Sequence, residues 1–146
     1  MKSSKKTMKV FEDVKINVKI KLSILWATLM FIYIYVDIFR FFQPGEIQNI
    51  LAGKVWEFNI TQTWALSAMI LMTIPSIMVF LSLTLKAKTN RWTNIIMGIL
   101  HIIIAIANVI GETWFYYIFG GIVEVVLCLL IVRYAWKWPS SKISTS

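Results

Sequence analysis

Hydrophobic residues fall along this chain in four long blocks separated by short polar segments, and their length sets the fold class. The hydrocarbon core of a bilayer is ~30 Å thick, so a spanning helix needs roughly 20 mostly apolar residues. Leu22 to Phe42 forms the first block, interrupted by Asp37 and Arg40 near its end. Phe58 to Leu85 carries no charge, and its spanning part is expected to begin near Gln62. Trp92 to Ile110 has His101 as its one titratable residue, and Trp114 to Trp136 carries Glu124 in its middle and Arg133 near its end. The pattern predicts an all-α fold: an integral membrane antiparallel four-helix bundle, with helices at about 22–42, 62–85, 92–110 and 114–136 in a single membrane domain, 1–146.

The polar punctuation agrees with these limits. Pro44-Gly45 stops the first helix, because proline cannot continue the hydrogen-bond ladder and glycine accepts left-handed geometry. Asn59 and Gln62 have the spacing of a capping box for the second. Thr89 or Asn90 is expected to cap the third and Thr113 the fourth, with Gly111-Glu112-Thr113 as a tight turn and Pro139 as the final stop. Pro75 is expected to kink the second helix, which a membrane bundle tolerates. Between the first two helices, Ile47, Ile50, Leu51, Val55 and Trp56 fit a short helix on the outer surface as well as they fit a plain loop.

Charge then orients the bundle. The first 21 residues hold seven lysines; Lys86, Lys88 and Arg91 lie in the second loop, and Arg133, Lys137 and Lys142 near the C-terminus. With Arg40 set aside, thirteen basic residues fall on one side, against Lys54 alone on the other. The positive-inside rule therefore gives N-in/C-in, with 1–21 as a basic cytoplasmic segment and 137–146 as a cytoplasmic tail. The first apolar run exceeds the 7–15 residues of a signal peptide and no A-x-A site follows it, so it reads as an uncleaved anchor.

Composition narrows the chemistry. The 146 residues are 58% hydrophobic and 15% charged, against about a quarter charged in soluble domains. The net charge of +8 sits in short segments beside apolar blocks, so the expected partner is a bilayer with anionic headgroups at the cytoplasmic face and not nucleic acid. Cys128 is the one cysteine and His101 the one histidine, which excludes an internal disulfide, a CxxC redox pair and a His/Cys metal site. No metal and no cofactor are expected. The tryptophans cluster at block ends as an aromatic belt, and Asn59-Ile60-Thr61, although it fits the glycosylation pattern, abuts the membrane.

Ionisable groups at membrane depth are costly, so each is a candidate site. Asp37 and Arg40, three apart, share a helical face and are expected to pair; Trp26, Met30 and Tyr33 continue that face inward. The third helix carries Asn94, Gly98, His101, Ala105, Asn108 and Glu112 as one small-and-polar stripe, and the fourth carries Tyr117, Gly121, Glu124 and Cys128 as its counterpart. Stripes of this kind pack helices closely and bond across the contact. The second helix is expected to add Gln62, Thr73 and Ser76. Joined by a three-residue turn, the last two helices must be antiparallel neighbours, which puts His101 and Glu124 at similar depths, roughly 14 Å below the outer surface at 1.5 Å per residue. They are expected to meet. The candidate polar interior is thus Tyr33, Asp37, Arg40, His101, Asn108 and Glu124, with no residue singled out as catalytic.

Specific local motifs add a resemblance. Ile60-Thr61-Gln62, the run ILMTIPSIMVFLS from Ile70 to Ser82, NRWTNIIMGI from Asn90 to Ile99 and YAWKWP from Tyr134 to Pro139 are scaffold motifs. On them, residues from about Val14 to Pro139 resemble an uncharacterised family of small bacterial four-helix membrane proteins, distantly similar in architecture to DoxX-like proteins. The resemblance implies a bacterial cytoplasmic (inner) membrane and no activity.

The leading functional reading is a non-enzymatic protein that binds a small amphipathic ligand or a membrane partner in its polar interior. The alternatives are a small proton-coupled transporter acting as a homo-oligomer, with Glu124 or Asp37 as its coupling carboxylate, and a membrane lipid-modifying enzyme using His101 and Glu124 as acid and base.

Overall fold

The computed structural model describes residues 13–139; the basic stretch 1–12 and the tail from 140 lie outside the described residues. Four long helices carry the fold: α1 (Val18–Arg40), α3 (Gln62–Thr84), α4 (Ala87–Val109) and α5 (Phe115–Trp136). Each is long and apolar enough to cross a bilayer, since 22 or 23 residues at 1.5 Å per residue reach about 33 Å. The protein is a multi-pass membrane bundle. Phe31, Leu66, Phe80, Ile103, Phe119 and Leu129 point outward, where lipid takes the place of a protein core.

Helix boundaries follow caps that differ from several expected ones. Asn17 Oδ1 accepts from Lys19 N at 2.9 Å, so α1 begins four residues before the apolar block. Thr61 caps α3 by accepting from Trp64 N at 3.1 Å. Asn59 does not cap it, because it pairs with Lys54 in a hairpin. The polar residues Ala87–Arg91 are already helical, so Thr89 and Asn90 lie inside the first turn of α4 and Lys86 is its N-cap position. Thr113 does not cap α5: Trp114 holds the N-cap position without a side-chain cap bond, and the Glu112 carboxylate accepts from Thr113 N and Trp114 N in the preceding turn, at 2.8 and 3.1 Å. α3 continues as one helix through Pro75, which is buried.

The segment after α1 is ordered into a short helix, α2 (Glu46–Leu51), followed by a hairpin of β1 (Lys54–Val55) and β2 (Phe58–Asn59). Val55 pairs with Phe58, leaving a two-residue turn in which Trp56 takes a φ of 50°. The Arg40 guanidinium lies 4.3 Å from the centre of the Trp56 ring, a cation–π contact that holds this strained residue down on the end of α1.

α5 is the central post. It packs against both α1 and α4, while α1 also packs on α3; α3 and α4 touch only sparsely. Glycine makes the close approaches possible. A Cβ on Gly120 would lie 2.5 Å from Val36 Cγ2, and one on Gly98 2.7 Å from Val132 Cγ2. A Cβ on Gly121 would collide with Val109. Leu22, Trp26, Leu29, Met78, Ile95, Cys128 and Ile131 fill the core of the half nearer the termini. At that end Lys19 Nζ donates to the carbonyls of Leu83 and Leu85 at 3.2 and 2.8 Å, which satisfies the last turn of α3 and places a cation at its negative pole.

Candidate functional site

The polar side chains of the interior separate into two groups stacked along the bundle. The lower group, toward the termini, is a closed network. Trp26 Nε1 donates to Asn94 Oδ1 at 2.7 Å, and Ser82 Oγ donates to the same oxygen at 3.2 Å. Asn94 Nδ2 donates in turn to Asn90 Oδ1 and to the Asn90 carbonyl at 2.6 and 2.9 Å, and Asn90 Nδ2 donates to the Ser82 carbonyl at 2.6 Å. Trp26, Ser82, Asn90 and Asn94 are all fully buried. The network ties α1, α3 and α4 together without an ionisable group.

Above it lies a cavity of about 50 Å³, lined on α1 by Tyr33, Val36 and Asp37, on α3 by Leu71 and Met72, on α4 by His101, Ile104 and Asn108, and on α5 by Tyr117 and Glu124. All these positions lie in the half of the bundle that bears the α2–β2 segment. Burial grades along it. Asp37 and Asn108 are exposed at the mouth, within one turn of their helix ends, whereas Tyr33, His101, Tyr117 and Glu124 are buried. Counted from those ends at 1.5 Å per residue, His101 and Glu124 lie roughly 12–14 Å down. The Trp26 ring closes the floor, edge-on to His101 with ring centres 5.5 Å apart.

The imidazole is the most informative group. His101 Nδ1 is 2.9 Å from Tyr33 Oη, which fixes the ring, while His101 Nε2 is buried with no hydrogen-bond partner. Leaving such an atom unpaired in an apolar setting costs about 1–3 kcal/mol, so it marks a place for a partner. Among the described residues neither the Asp37 nor the Glu124 carboxyl takes part in a hydrogen bond or an ion pair. In α3, Pro75 has no N–H, so the carbonyl of Leu71 lacks its helical donor.

Five of the six residues picked from the sequence, Tyr33, Asp37, His101, Asn108 and Glu124, line this one cavity. Arg40 does not. It turns away from Asp37, and its guanidinium sits 3.3 Å from Glu46 Oε1 and against Trp56. The expected Asp37–Arg40 pair is replaced by Arg40–Glu46 because α2 brings the Glu46 carboxylate to the guanidinium. His101 and Glu124 share the cavity without a direct bond; the hydrogen-bond partner of His101 is Tyr33. Gln62 is exposed, and Thr73 and Ser76 hydrogen-bond to the carbonyls of Met69 and Met72 on their own helix, so none of them joins the site. Tyr117 lay on the α5 stripe but was not among the six. Leu71 and Met72 are apolar, and no signal in the sequence could have placed them in the wall.

Residues 8–145 match the model of a family described as a family of unknown function, DUF6326. Comparison with curated proteins and with solved structures found no match, and neither supports the expected likeness to DoxX-like proteins.

Proposed function

The chain belongs to the family of unknown function DUF6326, and we propose that it is a non-enzymatic membrane protein that binds the polar head of a small amphipathic ligand. In this reading it sits N-in/C-in in a bacterial inner membrane, so that the cavity opens to the outer side. The observation that carries the reading is the buried, unpartnered His101 Nε2 at a cavity whose mouth is exposed. Size sets the ligand's form. Sites for drug-sized molecules run from about 300 Å³ upward, whereas this one offers about 50 Å³. Such a space takes a group of a few heavy atoms, and the apolar remainder of the ligand stays in the bilayer beside the sparse α3–α4 contact.

A transporter needs a route past the floor. The Trp26–Asn94–Ser82–Asn90 network fills that route with groups that do not titrate in the ordinary range, so a proton relay would require a second conformation. Acid–base catalysis has less support still, because no hydrogen bond joins Glu124 to His101.

Reaction with methyl methanethiosulfonate, a small neutral thiol reagent, tests the cavity. Cys128 is fully buried outside it and serves as an internal control. Thiols at Asn108→Cys and Ile104→Cys should react at least about tenfold faster than Cys128, since a buried thiol reacts only through local opening. An Ile104→Cys rate no higher than that of Cys128 would mean that water does not enter, and the binding reading would fall; Asn108, exposed at the mouth, reports the entrance alone.

A further inference from the structure

We infer that the head group this cavity accepts is a primary ammonium, held by the Glu124 carboxyl beside His101, with the Asp37 carboxyl at the mouth as a second negative charge. The inference rests on the binding reading above and adds the chemistry of the ligand.

Charge balance comes first. Two carboxyls line the cavity and no lysine or arginine does; the one basic group in the wall is the His101 imidazole, already bonded to Tyr33. The nearest candidate by sequence, Arg40, stands three residues from Asp37 and could neutralise it, but Glu46 and Trp56 hold it outside. An anionic head would meet repulsion here. A neutral head would leave both carboxyls unpaired at membrane depth, which is costly.

Donor count comes second. A primary ammonium carries three N–H groups and accepts nothing. The cavity answers with side-chain acceptors: the Glu124 and Asp37 carboxyls and the Asn108 amide oxygen. His101 joins them in one tautomer. When Nδ1–H donates to Tyr33 Oη across their 2.9 Å separation, Nε2 presents a bare lone pair, and that is the buried atom without a partner. A quaternary ammonium offers no N–H to these acceptors and is too bulky for about 50 Å³. The aromatic walls, Tyr33 and Tyr117, suit a cation as well.

The ammonium could come from a free amine or from a phosphatidylethanolamine head, and the experiment separates the two. The full chain is placed in phosphatidylcholine nanodiscs, and its thermal unfolding is followed in methylammonium chloride, sodium chloride or tetramethylammonium chloride at equal ionic strength. Methylammonium should raise Tm in a saturable way, and the other two salts should not. Glu124→Gln, nearly isosteric, should abolish the shift. Glu46→Gln lies outside the cavity and should weaken binding about tenfold by releasing Arg40 toward Asp37, a loss equivalent to about 1.4 kcal/mol. Repetition in phosphatidylethanolamine nanodiscs identifies the source. A higher starting Tm with no further gain from methylammonium assigns the lipid head, and an undiminished gain assigns a free amine. Equal shifts from methylammonium and sodium, a full response to tetramethylammonium, or a shift that survives Glu124→Gln would each overturn the inference. If Ile104→Cys reacts rapidly while methylammonium does nothing, the open cavity stands and the ammonium falls. If the thiol is also inert, both fall.

Discussion

The buried amide of Asn94 is the structure's most heavily bonded side chain in the lower half, and its removal has a calculable cost. Asn94→Ala deletes the bonds accepted from Trp26 Nε1 and Ser82 Oγ and the two donated to Asn90. In water, stranding several buried polar groups would cost more than 1 kcal/mol apiece. Inside a bilayer, measured side-chain couplings average about 0.6 kcal/mol and reach about 1.7, because the unfolded chain in the membrane finds substitute partners. Four bonds at the average give about 2.4 kcal/mol, and we expect Asn94→Ala to lose roughly 2 kcal/mol.

A double-mutant cycle isolates one bond from that total. Trp26→Phe removes the indole donor and some ring volume; the volume loss is the same with Asn or Ala at position 94 and cancels in the cycle. The coupling between Trp26→Phe and Asn94→Ala should be about 0.6 kcal/mol, and no more than about 1.7. Equilibrium unfolding in mixed micelles of increasing sodium dodecyl sulfate content supplies the four stabilities. A coupling within about 0.3 kcal/mol of zero, the ordinary limit of additivity, would refute the claim that the 2.7 Å contact between α1 and α4 holds the floor of the cavity.

Three further outcomes follow from the same geometry. Reporter fusions after Lys88 and after Ser146 should report the cytoplasm and one at Gly53 the exterior, by the thirteen-to-one basic bias; an exterior signal from the C-terminus would reverse the orientation. Gly98→Ala should cost about 1–3 kcal/mol by overpacking α4 on α5, and Val132→Ala should recover most of it, because the added Cβ would meet Val132 Cγ2 at 2.7 Å; equal melting temperatures for Gly98→Ala with and without that second change would count against the close approach. Asp37→Asn and Arg40→Gln should be additive in stability, whereas Arg40→Gln and Glu46→Gln should couple by up to about 1 kcal/mol, as modest ion pairs do; the opposite pattern would restore the pairing along α1.

What was legible in the sequence was whatever obeys a period. Four apolar blocks of bilayer length, the glycine-bearing stripes of α4 and α5 and the face running from Trp26 to Asp37 all repeat at helical spacing, and the structure turns those faces inward except at Asp37 and Asn108, which are exposed near the helix ends. What was not legible depends on competition between partners distant in the chain. Asp37 and Arg40 are well spaced for a pair, yet spacing along one helix says nothing of Glu46, which arrives from α2 and takes the guanidinium. Asn90 has the composition of a cap and lies just before the apolar block, but the helix starts at Ala87 and the same amide is spent on the Ser82 carbonyl. Thr89 and Asn59 fail as caps for the same reason: the cap is settled by where the preceding loop ends.

The meeting of His101 and Glu124 shows how far depth arithmetic reaches. Equal depth and facing stripes are enough to bring two side chains to one cavity, and they did. They cannot decide which atoms bond, because that depends on rotation of each helix by tens of degrees and on third parties. Here the third party is Tyr33 of α1, seven residues from that helix's end, which presents its hydroxyl to Nδ1 and turns the imidazole so that Nε2 is left over. Had His101 bonded Glu124, the pair would have satisfied itself and the interior would be structural glue of the kind worth about 1 kcal/mol. Because the bond goes to Tyr33, an imidazole nitrogen and two carboxyls stay unspent around a space that reaches the end of the bundle bearing α2. In the binding reading proposed above, that unspent bonding capacity is what a ligand would use.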